Sequence, residues 1–344
     1  MNVTLACYQA VSILHGGPRV QILQTKAELE KLGVGVSLFQ PWEPFDPKNT
    51  DVFHLFSSNL GTFHLARVIN DLHLPIVSSS IFYTRRSPAL IRMTLAANDA
   101  LKSLRTGIWT DYYFTRQISA WSRAVLPNTH DEGRLLEEGI GVPKQKITVV
   151  PNGVEPRFEF GDPSLFKKKY GLEKFILNVG HIGPERKNVL NLIRALKTID
   201  YPAVIIGRIT PGRYGEQCIA EAKTNKNILI IDGLQNGSEM LASAYAAADV
   251  FALPSTFETP GIAALEAALA GAKIVITPIG GTKDYFGSLA DYVDPYSPES
   301  IRDGIIRALN AHNDGSLKQH IKKEFLWSRV AEKTLAVYKT IASS

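Results

Sequence analysis

The sequence predicts an α/β protein built from two doubly wound parallel-sheet domains in tandem, and three observations predict it. At 344 residues the chain exceeds what one hydrophobic core serves, since single cores stop growing near ~250–300 residues. Short β-branched apolar runs alternate with stretches of helical period, which is the pattern of βαβ units. The alternation is interrupted once, by Pro151-Asn152-Gly153 and a polar stretch with Pro156 and Pro163 that reads as a linker. The expected domains are residues 1–155 and 156–326, with residues 327–344 a closing helix expected to pack back near the N-terminal domain.

In the first half the strand candidates are VTLAC (3–7), VGVSLF (34–39), DVFHLF (51–56), PIVSSS (75–80), AVLP (124–127) and KITVVP (146–151). Between the first two, RVQILQTKAELEKLG (19–33) carries apolar residues at helical spacing, and Gly33 stands where a left-handed residue ends a helix. The second series is FILNVG (175–180), AVIIG (203–207), NILIID (227–232), DVFALP (249–254) and KIVITP (273–278). WSRVAEKTLAVYKTIAS (327–343) is amphipathic. Open parallel sheets bind ligands beyond the carboxyl ends of their strands, so a cleft between two such domains is the expected site.

Composition narrows the class. With 45% hydrophobic and 21% charged residues, the chain reads as globular, neither disordered nor fibrous. Cys7 and Cys218 lie too far apart for a disulfide framework or a zinc pattern and read as buried apolar fillers. The N-terminus lacks the profile of a secretory signal, and no window approaches ~20 apolar residues. A cytoplasmic location is expected. Residues 80–125 hold seven basic residues against two acidic ones, which equals the whole formal excess of +5. Interleaved with Leu90, Ile91, Met93, Leu95, Leu101, Leu104, Ile108 and Trp109, the cations of residues 85–123 leave two readings open. One is a peripheral contact with an anionic membrane at its inner face, receiving a lipid-linked acceptor; the other is a helix pair lining an acceptor cleft. No nucleic-acid motif accompanies the charge.

The stretch FETPGIAALEAALAGAKIV (257–275) places Glu258 before an Ala-rich helix and Glu266 two turns into it. An unpaired buried carboxylate costs several kcal/mol, so each needs a partner. Thr259 is a fitting N-cap and Pro260 a fitting first helical residue, and Gly261 admits a ligand close to the backbone. The amides of Gly261, Ile262 and Ala263 would then face hydroxyls or phosphates. A vicinal diol would satisfy Glu266. The plainer alternative is that Glu258 serves the helix dipole and Glu266 pairs with a Lys or Arg.

NVGHIGPERKN (178–188) runs from a strand into a helix that is expected to start with Arg186 and Lys187. Cations there oppose the dipole, which suggests an anion such as a diphosphate; a solvated basic turn is the alternative. LHGGPR (14–19) offers Gly16 and Gly17, whose amides can approach a phosphate, but it matches neither G-x-G-x-x-G nor the P-loop pattern. A nicotinamide dehydrogenase and a P-loop nucleotidase are therefore disfavoured.

Taken in order, these motifs resemble glycosyltransferase family 4, retaining nucleotide-sugar transferases of the GT-B architecture, in which two Rossmann-like domains face an interdomain cleft. The likeness is strongest in NVGHIGPERKN, in IDGLQNGSEMLASAYAAADVFALPSTFETPGIAALEAALAGAKIVITPIGGTKDYF and in YVDPYSPESI. PNTHDEGRLLEEGIGVPKQKITVVPNGV (127–154) looks like the family's interdomain segment. The resemblance implies that Glu258, Arg186 and Lys187 are catalytic. It implies donor contacts from Gly16, Gly17, Thr259, Gly261 and Ile262, ribose held by Glu266, and base contacts near Gly233 and Leu234. Two departures stand out: His181 takes the place of an additional Arg, and Ser80 takes that of a His near the sugar, close to Arg85 on the acceptor side.

The implied reaction moves a sugar from a nucleoside diphosphate sugar, UDP favoured, to a carbohydrate or lipid-linked acceptor hydroxyl with retention. A front-face mechanism is implied, with no metal and no other cofactor. A GDP-mannose donor, a nucleotide-sugar epimerase on the same fold and a binding protein without catalysis stay open as alternatives.

Overall fold

The computed structural model describes residues 1–13, 16–103 and 109–342, with backbone alone for Lys102 and Ser103. Leu14, His15, Leu104, Arg105 and Ile108 lie outside the described residues. The chain divides into two compact units, Met1–Gly153 with Trp327–Ser344, and Val154–Leu326. No described helix is long and apolar enough to cross a membrane.

The first unit is built on β1 (Asn2–Ala6), β2 (Gly35–Leu38), β3 (Val52–Phe56), β4 (Ile76–Ser79) and β5 (Ser122–Val125), in the order β2-β1-β3-β4-β5. Every pairing is parallel. β3 is buried along its whole length, as a central strand covered on both faces must be. The segment 146–151, expected as a strand, is not one. It follows a 3-10 turn, Lys144–Lys146, and makes an isolated parallel bridge of Ile147 with Val125, with Thr148 N donating to Val125 O and Val150 N to Pro127 O. Its neighbour β5 has ended, and Pro127 has no N–H to return.

The helix Gly17–Lys31 places Pro18 in its first turn, and Gly33 follows its end at φ 81°. The helix Trp327–Ala342 packs on it, and Trp327, Val330, Ala331, Tyr338 and Ile341 join Val3, Leu5, Ile22 and Leu29 in one core. Gly153 lets this helix close in, because a Cβ there would lie 2.6 Å from Trp327. Buried His54 on β3 holds it in place, with Nδ1 against the Tyr338 hydroxyl and Nε2 2.9 Å from Ser79 Oγ. Burial pushes the His54 imidazole down to about 3, so it is neutral.

The second unit holds β6 (Ile176–Val179), β7 (Ala203–Ile206), β8 (Ile228–Ile231), β9 (Val250–Leu253), β10 (Lys273–Ile276) and β11 (Asp291–Tyr292), in the order β11-β10-β9-β6-β7-β8. These strands are also all parallel. Side chains alternate between two apolar layers: Leu177, Val204 and Phe251 enter one, and Ile176, Ala203 and Val250 the other. From Val154 on the expected linker is folded into this unit, while Pro151-Asn152-Gly153 belongs to the first. Phe158 is fully buried, with its ring centroid 5.4 Å from that of Tyr245, and Pro163 opens the helix Pro163–Tyr170. Pro156 and Pro163 serve a 3-10 turn and a helix start rather than a free tether. Strand order reverses between β1 and β3 in one sheet and between β6 and β9 in the other, the places where such sheets bind ligands.

Candidate functional site

β6 and β9 lie side by side, and their following loops are stitched together at the carboxyl ends. Asn178 Nδ2 donates to Ala252 O at 2.7 Å. Beyond β6, Glu185–Lys187 form a 3-10 turn that ends at Asn188, at φ 55°. The buried Asn188 amide donates to Pro254 O at 2.8 Å and Pro295 O at 2.6 Å, which explains a non-glycine residue in that conformation. Arg186 and Lys187 therefore precede the helix Val189–Leu196 instead of starting it. Thr256 N donates to Arg186 O at 2.9 Å and draws the loop after β9 against the turn.

That stitching converges on Glu258. Its Oε1 receives Lys187 Nζ at 2.6 Å, Ser255 Oγ at 2.8 Å and Arg186 Nη1 at 3.3 Å. Glu258 is 7% exposed as a side chain, Lys187 20% and Arg186 39%, so the nearer cation is also the better shielded. Burial pushes the Glu258 carboxyl up, but Lys187 and Arg186 more than reverse this and hold it below its usual value. Among the described residues Oε2 accepts no hydrogen bond. Arg186 is steadied by Phe257, donating to its carbonyl at 3.1 Å with the guanidinium 5.1 Å above its ring. The exposed His181 has its pKa lowered by partial desolvation and then by Lys187, Arg208 and Arg186. Arg208, which no motif singled out, thus acts on the same imidazole as Lys187 and Arg186.

Glu258 N and O bond to Ile279 O and Gly281 N, at 3.0 and 2.9 Å. Between those partners Gly280 sits at φ 100°, where a Cβ would fall 2.0 Å from Glu258 O. The helix that follows is Ile262–Ala270. Thr259 is not its N-cap, nor is Pro260 its first residue. Gly261 occupies the cap position at φ 66°, a conformation glycine adopts without strain, so the turn runs two residues longer than the sequence suggests.

Glu266 forms a separate cluster. Its Oε2 accepts from the Tyr245 hydroxyl at 2.7 Å, not from the Lys or Arg weighed in the sequence. Burial pushes its carboxyl up to about 7, against the Tyr245 hydrogen bond and the charge of Arg157. Arg157 is itself held 3.3 Å from Glu155, by Asn236 O and 4.0 Å over the Phe158 ring. Gly233 follows β8 at φ 75°, its N–H 2.8 Å from Ile231 O, and Leu234 packs half-buried on the core.

Gly16, Gly17, Ser80 and Arg85 belong to the first unit. Gly16 precedes the helix Gly17–Lys31 in an extended conformation, and no side chain caps that helix start. Arg85 is exposed. Ser80 is 1% exposed and donates to the buried Glu132, so its hydroxyl faces the interior. Glu132 escaped the sequence reading. It accepts from Ser80 Oγ at 2.5 Å, Phe82 N at 2.7 Å and Asn128 N at 2.8 Å, and burial still pushes it up to about 7. Between the first two donors, Ile81 is held at φ 48°, an uncommon conformation for a β-branched residue. A Thr with Glu three residues on, here Thr129 and Glu132, was a visible signal.

In the basic segment, Arg92 bonds Glu138 O, Arg116 pairs with Asp99, and Arg123 reaches Ile341 O at 3.4 Å. Leu90, Met93 and Trp109 are exposed, while Ile91 and Leu95 face the core.

Residues 164–324 match the family described as glycosyl transferases group 1. Over 216 residues the chain is 29% identical to an uncharacterised glycosyltransferase of Methanocaldococcus jannaschii, covering 57% of this chain and 55% of that protein. The chain spans about half the length of the curated relatives it matches. Among solved structures, sucrose-phosphate synthase from Thermosynechococcus elongatus superposes with TM-score 0.77 at 16% identity, covering 100% of both chains. Anabaena HepE in complex with UDP does so with TM-score 0.74 at 14% identity, covering 99% of this chain and 100% of its own. The second domain thus matches group 1 of the glycosyl transferases in sequence, and the two parallel-sheet domains share the GT-B fold.

Proposed function

We propose that the protein is a retaining glycosyltransferase of family 4 that moves a sugar from a nucleoside diphosphate sugar to an acceptor hydroxyl without a metal ion. The observation that carries this reading is the pair of cations Arg186 and Lys187 on a largely buried Glu258, with His181 within reach of both and of Arg208, at the point where the second sheet reverses its order. A diphosphate leaving group gathers negative charge in the transition state, and fixed cations at that place lower the barrier without reorganising. Arg186 and Lys187 take this role. Glu258, held by Oε1, presents Oε2 to the positive charge that develops on the sugar. The leaving oxygen receives the acceptor's proton on the same face. Gly16, Gly17, Thr259, Gly261 and Ile262 supply backbone contacts to the donor, Glu266 the ribose contact, and Gly233 and Leu234 the base contact. Ser80, being turned inward, acts through Glu132 rather than on the sugar.

UDP is the first carrier to test, because the Anabaena fold neighbour was solved with it. A melting panel of UDP-, GDP-, ADP- and dTDP-sugars tests the donor, since a ligand at a hundredfold excess over Kd stabilises by ~2.7 kcal/mol. Stabilisation by one series, and nucleotide release only with an acceptor present, are expected. Donor turnover without acceptor would favour an epimerase, and binding without any turnover would favour a binding protein.

A lipid-linked acceptor is supported by exposed Leu90, Met93 and Trp109 beside the exposed Arg86 and Arg92. Sedimentation with anionic vesicles at low and moderate salt tests this, and absence of binding at both would remove it.

A further inference from the structure

We propose that Tyr245 is a positioning residue for the nucleoside: its hydroxyl pins Oε2 of Glu266 and leaves Oε1 to receive the 2′ and 3′ hydroxyls of a ribose. The inference rests on the donor reading above and adds to it the group that sets the carboxylate's direction. Glu266 stands in an apolar wall, with Ala264, Leu265, Ala267, Ala268 and Leu269 all fully buried around it on one helix. A side chain there has no polar neighbour on its own helix to fix its rotamer. Tyr245, on the helix Glu239–Ala247, supplies the fix from outside at 2.7 Å.

Tyr245 itself cannot follow a moving partner. It is fully buried, and its ring is wedged between Phe158 and Phe251, with centroids at 5.4 and 5.9 Å. A neutral hydroxyl also does what a cation would not: it orients the carboxylate and leaves its charge for the ligand. Arg157, whose charge acts on Glu266, is occupied by Glu155, Asn236 O and the Phe158 face. Among the described residues Oε1 of Glu266 accepts no hydrogen bond, so one oxygen is held and one is open. Because burial pushes the carboxyl up to about 7, the Tyr245 hydrogen bond also favours the ionised form that a diol needs.

The test compares UDP with 2′,3′-dideoxy-UDP, which lacks both hydroxyls, by calorimetry on the full chain and on Tyr245→Phe, between pH 6 and 8.5. The wild type is expected to prefer UDP, and Y245F to lose about tenfold in UDP affinity while its 2′,3′-dideoxy-UDP affinity stays put, so that the preference collapses. The pH midpoint for UDP binding should move upward in Y245F. Equal weakening of both nucleotides would mean a packing role and overturn the inference, as would an unchanged preference. If Y245F does not fold, 3-fluorotyrosine placed at position 245, a stronger donor, should move the UDP midpoint downward, and an unmoved midpoint overturns the inference. No binding of any nucleoside diphosphate by the wild type would instead remove the donor reading and this inference with it.

Discussion

Replacing Lys187 with alanine separates two roles that the same ammonium plays. In the resting protein Lys187 Nζ lies 2.6 Å from Oε1 of a carboxylate that is 7% exposed. Breaking a buried pair from one side costs about 3–5 kcal/mol, because the remaining charge is left uncompensated. Ser255 at 2.8 Å and Arg186 at 3.3 Å remain, and Arg186 is more exposed and better screened, so the expected loss is about 2–3 kcal/mol. For a domain of this size that lowers Tm by roughly 5–10 °C. Adding Glu258→Gln removes the stranded charge and should bring Tm back to within about 3 °C of the wild type. Catalysis should behave differently. Loss of a cation that stabilises the leaving diphosphate costs about 2–4 kcal/mol, or roughly 30- to 1000-fold in kcat/KM, and the second substitution should not restore it. The assays are thermal melts and nucleotide release from the sugar nucleotide that the melting panel selects. If K187A kept full kcat/KM, or if its Tm loss were the same with and without E258Q, the assignment of Lys187 to both partners would be wrong.

Other outcomes follow from single residues. His54 has a folded-state pKa of about 3 against an ordinary 6.5, so only the unfolded chain takes up its proton between those values. Its stabilising effect is fully present above pH 6.5 and is lost as pH falls towards about 3, by up to about 4–5 kcal/mol, and melts of His54→Gln should show a flatter acid limb. Glu132 has the opposite sign: raised to about 7 from 4.5, its contribution is present below pH 4.5 and lost as pH rises through about 7. Glu132→Gln should therefore close its gap to the wild type by about 3 kcal/mol from pH 4.5 to 8, and parallel melting curves would contradict this. Gly280→Ala puts a Cβ against Glu258 O, where only 2.0 Å is available, at φ 100°. It should destabilise by about 2–4 kcal/mol and weaken nucleotide binding with it, as melting and calorimetry together would report.

The parallel sheets were legible because a strand covered on both faces must be apolar throughout, and β3, β7 and β9 are buried from end to end. The apolar run at 146–151 looks the same in sequence, yet no strand forms beside Pro127. Likewise the prolines of 151–163 suggest a tether, but Phe158 finds Tyr245 87 residues away and turns the segment into core. Local pattern carries period and turn chemistry. It does not carry which distant side chain will offer a surface.

The candidate site divides along the same line. Arg186, Lys187, Glu258 and Glu266 could be named from their motifs, because residue type and nearness to strand ends are local properties. Their partners could not. Lys187 and Glu258 are 71 positions apart and meet only because β6 and β9 are neighbours in the sheet, an order that no periodicity encodes. Tyr245 reads as one aromatic in an apolar helix until the fold aims its hydroxyl at Glu266, and Ser80 reads as a ligand contact until Glu132 claims it. The amino-acid order alone determined the alternation of elements and the chemistry available at their ends. Tertiary structure decided which oxygen is held, which is open and which charge is compensated, because hydrogen bonds and ion pairs act over a few ångströms between residues that the chain keeps far apart.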